Sequence, residues 1–248
     1  MEGTAKPRLG GKLGSTQSEL RLVRASSIDE LDTRSWDSVF GGGLCQSQAL
    51  RVLERSFDAR RSAEHRWRFF YYEVWEDRRC VLRTFFTSAL CKEDMLAPAP
   101  VSRLAEARRE QEPEFLVSRL FLMGSLLSES RHLWCDPTAD RSRAIALLLD
   151  AVARDADSEQ AGTIILGQFA EEGDALAPLF REFGFHSTPF PEAYDLAGFR
   201  DPAAWFNALS SKARRHVRKE VFPYADRFAG AARPISSVDA AELREAFR

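Results

Sequence analysis

Cysteine is scarce and poorly placed for metal. Cys45, Cys80, Cys91 and Cys135 form no Cys-x-x-Cys pair and have no paired histidines nearby, so the spacing of a zinc site is absent. No metal is expected, and free thiols fit a reducing, cytoplasmic setting. Charge of one sign is not in excess either. With 35 Lys and Arg against 37 Asp and Glu, the net charge is −2, which removes any general electrostatic case for nucleic acid. No stretch reaches the roughly 18 apolar residues of a membrane span, and the N-terminus lacks a signal-type apolar run. Phosphate-loop chemistry is also missing. Gly41-Gly42-Gly43 has no following Lys-Ser/Thr and no surrounding dinucleotide fingerprint, so it reads as a hinge before the next helix.

Apolar residues are plentiful: 44% of the 248-residue chain is hydrophobic and 11% aromatic, enough for a sizeable core and too much for a disordered protein. Residues 1–17 are the exception, rich in glycine and nearly free of apolar side chains, and are expected to be a disordered tail. After it, Glu19–Ala25 alternates as a strand, and Ser26-Ser27 opens a helical turn. A short helix holds Trp36 and Phe40, and Ser47–Phe57 forms another. Arg66–Val74 and Arg79–Leu90 flank a short charged turn and predict an aromatic-rich β-hairpin. Val101–Glu112 reads as a polar helix or insertion. Phe115–Leu127 is a nearly continuous apolar run broken at Gly124-Ser125, the pattern of a buried strand with a bend. A helix to about Asp155, a strand over Gly162–Gln168 and a helix over Glu171–Phe183 capped by Gly184 follow. Phe185–Ala197 is extended, and Phe228 onward is strand-like before a helix over Ser237–Phe247. The fold class this order predicts is α/β, a mixed, partly parallel central sheet flanked by helices.

The stretch Asp201–Tyr224 reads as one amphipathic basic helix, capped by Asp201 and Pro202 and stopped by Pro223. At about 100° per residue, Trp205, Phe206, Leu209, Ala213, Val217 and Val221 share a face expected to pack. Lys212, Arg214, Arg215, Arg218 and Lys219 occupy the opposite face. His216 and Glu220, four apart on the packed side, are placed to pair. The two readings of the cationic face are a solvated surface and a phosphate-binding surface.

Three passages resemble the GCN5-related N-acyltransferase superfamily (the GNAT fold), in particular its FemAB-like, peptidoglycan-biosynthesis branch. They are Phe121-Leu-Met-Gly-Ser-Leu-Leu-Ser-Glu129 with the Asp140–Asp155 helix, Ala177-Pro-Leu-Phe-Arg-Glu-Phe-Gly-Phe185, and the Trp205–Lys219 helix. The likeness spans about Asp32 to Phe228. It implies an acyltransferase-like domain over residues 18–200, a linker helix over 201–227, and the start of a second unit over 228–248. It also implies N-acyl or aminoacyl transfer from acyl-CoA or aminoacyl-tRNA, as co-substrate and not bound cofactor, to an amine. Two departures stand out. Trp134–Arg143, where the family has a glycine-rich phosphate loop, has no glycine, and Phe180 stands where the family's general-acid tyrosine would be.

Candidate residues follow from what such chemistry requires. Arg141, Ser142 and Arg143, with Gly124 and Ser125, are candidates for the donor and its phosphate. Glu192 and Tyr194 are candidates for proton transfer. Lys212, Arg215, Arg218 and Lys219 are candidates for an acceptor, a phosphate, a tRNA or a second unit. His132 and His186 read as isolated histidines, and Glu171 and Glu172 as favouring a helix start. Cys135 as an acyl-carrying thiol lacks a His-Asp pair. The alternatives to an enzyme are a catalytically silent, partner-binding domain of the same fold and an RNA-binding module using the basic helix.

Overall fold

The computed structural model describes residues 18–242 except 42, 59, 61, 63–65, 96, 129–130, 168–170, 189–197, 226, 228–236, 238 and 240, and of 171–175 the backbone alone. The chain divides into two compact units, the first made of Met1–Ala175 with Asp239–Arg248 and the second of Leu176–Val238.

The first unit is built on a six-stranded sheet. Its strands are β1 (Leu20–Ala25), β2 (Arg68–Glu76), β3 (Arg79–Lys92), β4 (Val117–Met123), β5 (Leu133–Cys135) and β6 (Thr163–Ile165). The order is β1-β2-β3-β4-β6, with β5 also paired to β3. Every pairing is antiparallel except β4 with β6. The sheet is thus mixed, as its sequence order predicts.

Aromatic and β-branched residues suit these strands because both faces are covered. Helices α1 (Thr33–Val39) and α2 (Ser47–Ser56) lie on one face, where Trp36, Leu50 and Leu53 join Tyr71, Phe85 and Ala89 in one core cluster. Asp32 caps α1 by accepting from the N–H of Arg34 and Ser35. The Trp36 indole N–H finds the Cys45 carbonyl at 2.8 Å, so its polar edge is not left unpaired in the core. On the other face Phe121 stacks on Phe86 and meets Phe70 edge-on. Helix α4 (Arg141–Ser158), which buries Ile145, Leu148, Leu149 and Val152, contacts β1, β2 and β3. Tyr72 ties that helix to the sheet, its hydroxyl donating to Asp155 at 2.6 Å.

Charge is buried at one place in this sheet. Arg83 and Glu73 face each other across β2 and β3 at 2.8 Å, each side chain no more than 5% exposed. The remaining guanidinium nitrogens donate to the carbonyl (2.6 Å) and hydroxyl (2.8 Å) of Ser35 on α1. The Trp75 indole donates to the other Glu73 oxygen at 2.9 Å. The charges are therefore hydrogen-bonded as well as paired, the condition under which burial is tolerated.

The insertion between β3 and β4 contains α3 (Ala99–Arg109). Arg109 anchors it, pairing with Asp94 and donating to the carbonyls of Phe115 (2.9 Å) and Leu116 (3.1 Å).

Helix α5 (Glu171–Glu182), which belongs to the second unit from Leu176 onward, is followed by Gly184 at φ +84°. The N–H of Phe185 returns to the Phe180 carbonyl at 3.0 Å, closing the helix as the glycine predicts. The stretch read as one basic helix is instead interrupted. Helix α6 (Pro202–Ala208) ends at Leu209, which is extended at ψ 150°. Ser210 then caps a new helix by accepting from the Ala213 N–H at 3.2 Å. That helix, α7 (Ser211–His216), continues through a π-helical turn (Val217–Val221) into α8 (Phe222–Ala225). Pro223 thus lies inside helix, in its last turns, where the loosened π-type hydrogen bonding accommodates the missing N–H. The apolar face is not buried either: no residue of these helices is, and Val221 and Phe222 are half exposed. Phe206 and Phe222 pair with each other (centroids 5.3 Å), and Arg218 sits over the Phe206 ring. His216 and Glu220 are both exposed rather than on a packed side.

Two further differences concern strands. Residues 133–135, to which the sequence pattern assigns no element, form β5, because β3 is long enough to hold two partners in succession. Of the strand expected over Gly162–Gln168, Thr163–Ile165 is strand, and residue 168 lies outside the described residues. The extended run 189–197 and the strand-like run from Phe228 fall outside the described residues.

Candidate functional site

Strands β4 and β6 pair in parallel over three positions, ending with Leu122 opposite Ile165. One residue later β4 ends. The next strand, β5, pairs with β3 from Leu133, opposite Thr84. The break is built on Gly124, whose φ of +82° lies in the left-handed region, where glycine alone is unstrained. Its N–H donates to the Phe85 carbonyl at 2.8 Å and its carbonyl accepts from the Thr87 hydroxyl at 2.6 Å. A Cβ at this position would lie 2.6 Å from three atoms of the His132 ring. The glycine is demanded twice, by conformation and by the imidazole against it.

The turn after Gly124 is held by its own side chains. The Ser128 N–H donates to the Ser125 carbonyl at 3.2 Å. The Ser125 N–H donates to Ser128 Oγ at 2.9 Å, and Ser125 Oγ is 3.1 Å from the same oxygen. His132 closes the cluster with Nε2 2.9 Å from Ser128 Oγ and its ring edge-on to Phe85. Ser125, Ser128 and His132 are 4%, 3% and 3% exposed. His132 Nδ1 has no hydrogen-bond partner among the described residues. Burial drives the His132 pKa down to about 4, because a low-dielectric surrounding disfavours the imidazolium. The ring is neutral at physiological pH.

Beyond β5, the chain turns through Asp136, which accepts from the N–H and hydroxyl of Thr138 and is held below the ordinary carboxylate range by those bonds. It enters α4 at Asp140, whose carboxylate accepts from the Arg143 N–H at 3.2 Å. Arg141 and Ser142 are exposed on the first turn, while Arg143 is partly covered and donates to the Ser18 carbonyl at 3.2 Å. Of the predicted donor and phosphate residues, Arg141, Ser142 and Arg143 share the start of α4, with Arg141 and Ser142 open to solvent and Arg143 engaged with the chain, while Gly124 and Ser125 lie in the turn after β4. Without glycine, the loop offers only the N–H groups that α4's own start leaves uncapped.

The other predicted residues fall elsewhere. Glu192 and Tyr194 lie outside the described residues. Lys212, Arg215, Arg218 and Lys219 belong to the second unit; all are exposed, and no carboxylate pairs with them among the described residues. Phe180 packs against Phe185 and offers no proton. His186 is exposed, and Cys135 is buried on β5. Sequence reasoning named Gly124 and Ser125 but left out Ser128 and passed over His132 as isolated. The signal was a Ser and a His four apart directly after a glycine break. No group of three or more His, Cys, Asp or Glu among the described residues is placed to hold a metal, and no described helix is long and apolar enough to cross a membrane.

No protein-family model matches the chain, and no curated protein matches it. Twelve chains of solved structures do. One is an aminoglycoside N-acetyltransferase in complex with CoA, 12% identical, covering 75% of this chain and 99% of its own at a TM-score of 0.43. Another is an acetyltransferase with acetyl-CoA from Clostridium acetobutylicum, 11% identical, covering 74% and 100% at 0.42. A third is an acetyltransferase of Trypanosoma brucei, 11% identical, covering 72% and 100% at 0.40. Likeness at this level assigns no role to any residue here.

Proposed function

We propose that this chain is an N-acyltransferase domain moving an acyl group from a thioester such as acyl-CoA to an amine. The observation that carries the reading is the parting of β4 from β6. In an otherwise antiparallel sheet, one parallel pair ends after three positions at a left-handed glycine. Two strands that stop pairing leave backbone donors and acceptors available to an extended, amide-bearing ligand such as a pantetheine arm. Helix α4 starts just after β5, with Arg141 and Ser142 exposed on its first turn, suited to the anionic end of such a donor. The sequence resemblance places three passages of the same family in the same order, and its FemAB-like branch adds aminoacyl-tRNA as a second donor class. The test is thioester consumption, followed as free thiol release, across short and long acyl-CoAs with an amine panel. Turnover that falls at least about tenfold in Arg141→Ala supports the reading. Absence of turnover with every donor refutes independent catalysis.

A second reading is favoured by one observation: the four exposed cations of the second unit face no carboxylate among the described residues. They suit a phosphate-bearing partner such as tRNA, or a second acyltransferase-like unit. Engaging about three phosphates of a single strand gives a slope near −2 in log affinity against log salt. A slope unchanged in Arg215→Ala/Lys219→Ala counts against this role.

A further inference from the structure

A phosphate-bearing partner accounts for the cations of α7 and the turn after it, but gives their apolar neighbours no duty. From Ser211 to Ala225 the chain places Lys212, Arg214, Arg215, Arg218 and Lys219 against a single acid, Glu220, in a protein whose net charge is −2. Arg214 is engaged with the chain itself, donating to the carbonyls of Asn207 and Leu209; the other four cations are exposed. Residues four apart drift about 40° around an α-helix. The π-helical turn over Val217–Val221 winds less per residue and takes that drift back. Ala213, Val217, Val221 and Ala225 therefore keep to one line. Val221 (50% exposed), Phe222 (49%) and Tyr224 (47%) bring large apolar surface into solvent along its far half. By the 100° step, Lys212 and Arg218 flank the line on opposite sides, and Arg215 and Lys219 lie behind it. No residue of α7, the π-helical turn or α8 is buried.

We propose that α7–α8 is an interfacial anchor that lies in the headgroup layer of an anionic lipid membrane. The inference is independent of acyl transfer and competes with tRNA for the same cations. Nucleic acid satisfies the cations and leaves Val217 and Val221 in water. A lipid surface takes both parts of the helix. Its acyl boundary receives the apolar line, and its phosphates receive the flanking cations, whose aliphatic stems lie along the helix while the charged heads reach up. A protein partner must match each cation with a carboxylate at the right spacing, whereas a layer of anionic headgroups meets any spacing. Each lysine or arginine near such a surface is worth about fivefold in affinity. Cations on both flanks of one exposed apolar line are what favour this occupant.

The experiment is flotation of the full chain with vesicles of equal parts phosphatidylcholine and phosphatidylglycerol, and with vesicles of phosphatidylcholine alone. The expected result is flotation with the anionic vesicles and none with the neutral ones. Lys212→Gln/Arg215→Gln/Lys219→Gln is expected to lower the partition coefficient about 100-fold, and Val221→Ser/Phe222→Ser at least about tenfold. Circular dichroism checks that each variant is folded. No flotation of the wild type with anionic vesicles overturns the anchor. So does a loss confined to the cation variant, which shows adsorption by charge alone. Titration of the same proteins with tRNA separates the other source of phosphate: tRNA binding without flotation overturns the anchor in favour of nucleic acid.

Discussion

Replacing Gly124 by alanine tests the break in β4 directly. Two costs add. An alanine held at the observed φ of +82° loses about 1–2 kcal/mol to left-handed strain. The backbone cannot escape this by rotating, because the N–H and carbonyl of Gly124 are bonded to Phe85 and Thr87. The new Cβ meets the His132 ring at 2.6 Å, and forcing extra volume into a packed site costs about 1–3 kcal/mol more. The sum is roughly 2–5 kcal/mol, and at about 2–4 °C per kcal/mol for a domain of this size the melting midpoint falls by roughly 4–20 °C. The two costs separate in a double-mutant cycle. In a His132→Ala background the ring is gone, so Gly124→Ala then costs only the left-handed strain, about 1–2 kcal/mol. Urea unfolding of the four proteins, with m-values shown to be equal, gives the coupling, expected at about 1–3 kcal/mol in the direction of mutual rescue. A Gly124→Ala protein within 0.5 kcal/mol of wild type (about the scatter of additivity), or costs that simply add, would refute both the conformation and the ring contact.

Three further outcomes follow from buried polar groups. Arg83→Met leaves Glu73 charged and 5% exposed, and is expected to cost about 3–5 kcal/mol in urea unfolding; adding Glu73→Leu restores part of it, and no recovery would show that the pair is not the origin. Tyr72→Phe removes a buried donor to the Asp155 carboxylate, itself paired with Arg24 at 2.9 Å, and is expected to cost about 1.5–3 kcal/mol, measured by the same unfolding. For His132 the folded pKa of about 4 lies below the ordinary 6.5, so the unfolded chain binds the proton first. Its share of stability is therefore complete above pH 6.5 and is lost as pH falls from 6.5 to 4, by about 3 kcal/mol in all. The difference in unfolding free energy between wild type and His132→Gln should narrow or reverse over that window; a difference constant with pH would mean the ring is not neutral and buried.

What could be read from the sequence depended on whether a signal was local. The β2–β3 hairpin and α4 were legible because period, turn residues and caps lie within a few positions of one another, as with Asp77 at the turn (φ 54°) and Asp140 at the helix start. Gly124 was legible as a bend for the same reason. The second strand along β3 was not. Leu133-Trp134-Cys135 is too short to show a period, and it pairs only because β3 extends beyond its contact with β4. The basic stretch failed in the opposite way. Its 100° pattern is real, but Leu209 and Ser210 interrupt it, and Ser210 carries a cap signal that a continuous periodicity overrode.

The candidate site shows the same division. Arg141 and Ser142 were named because the helix start that holds them is legible from Asp140 onward, and the first turn of α4 exposes both. Ser128 and His132 were not, because neither is unusual alone. Their meaning comes from a glycine that admits the ring, a sheet that buries it, and a second histidine nitrogen with no partner among the described residues. Burial is what turns a common residue into a committed one here. An exposed His132 would keep an ordinary pKa and carry little consequence, whereas the buried ring is neutral, hydrogen-bonded to a hydroxyl and costly to keep. The break at Gly124 thus does what no local pattern announces: it follows the end of the β4–β6 pairing and seats a neutral imidazole against the Ser128 hydroxyl.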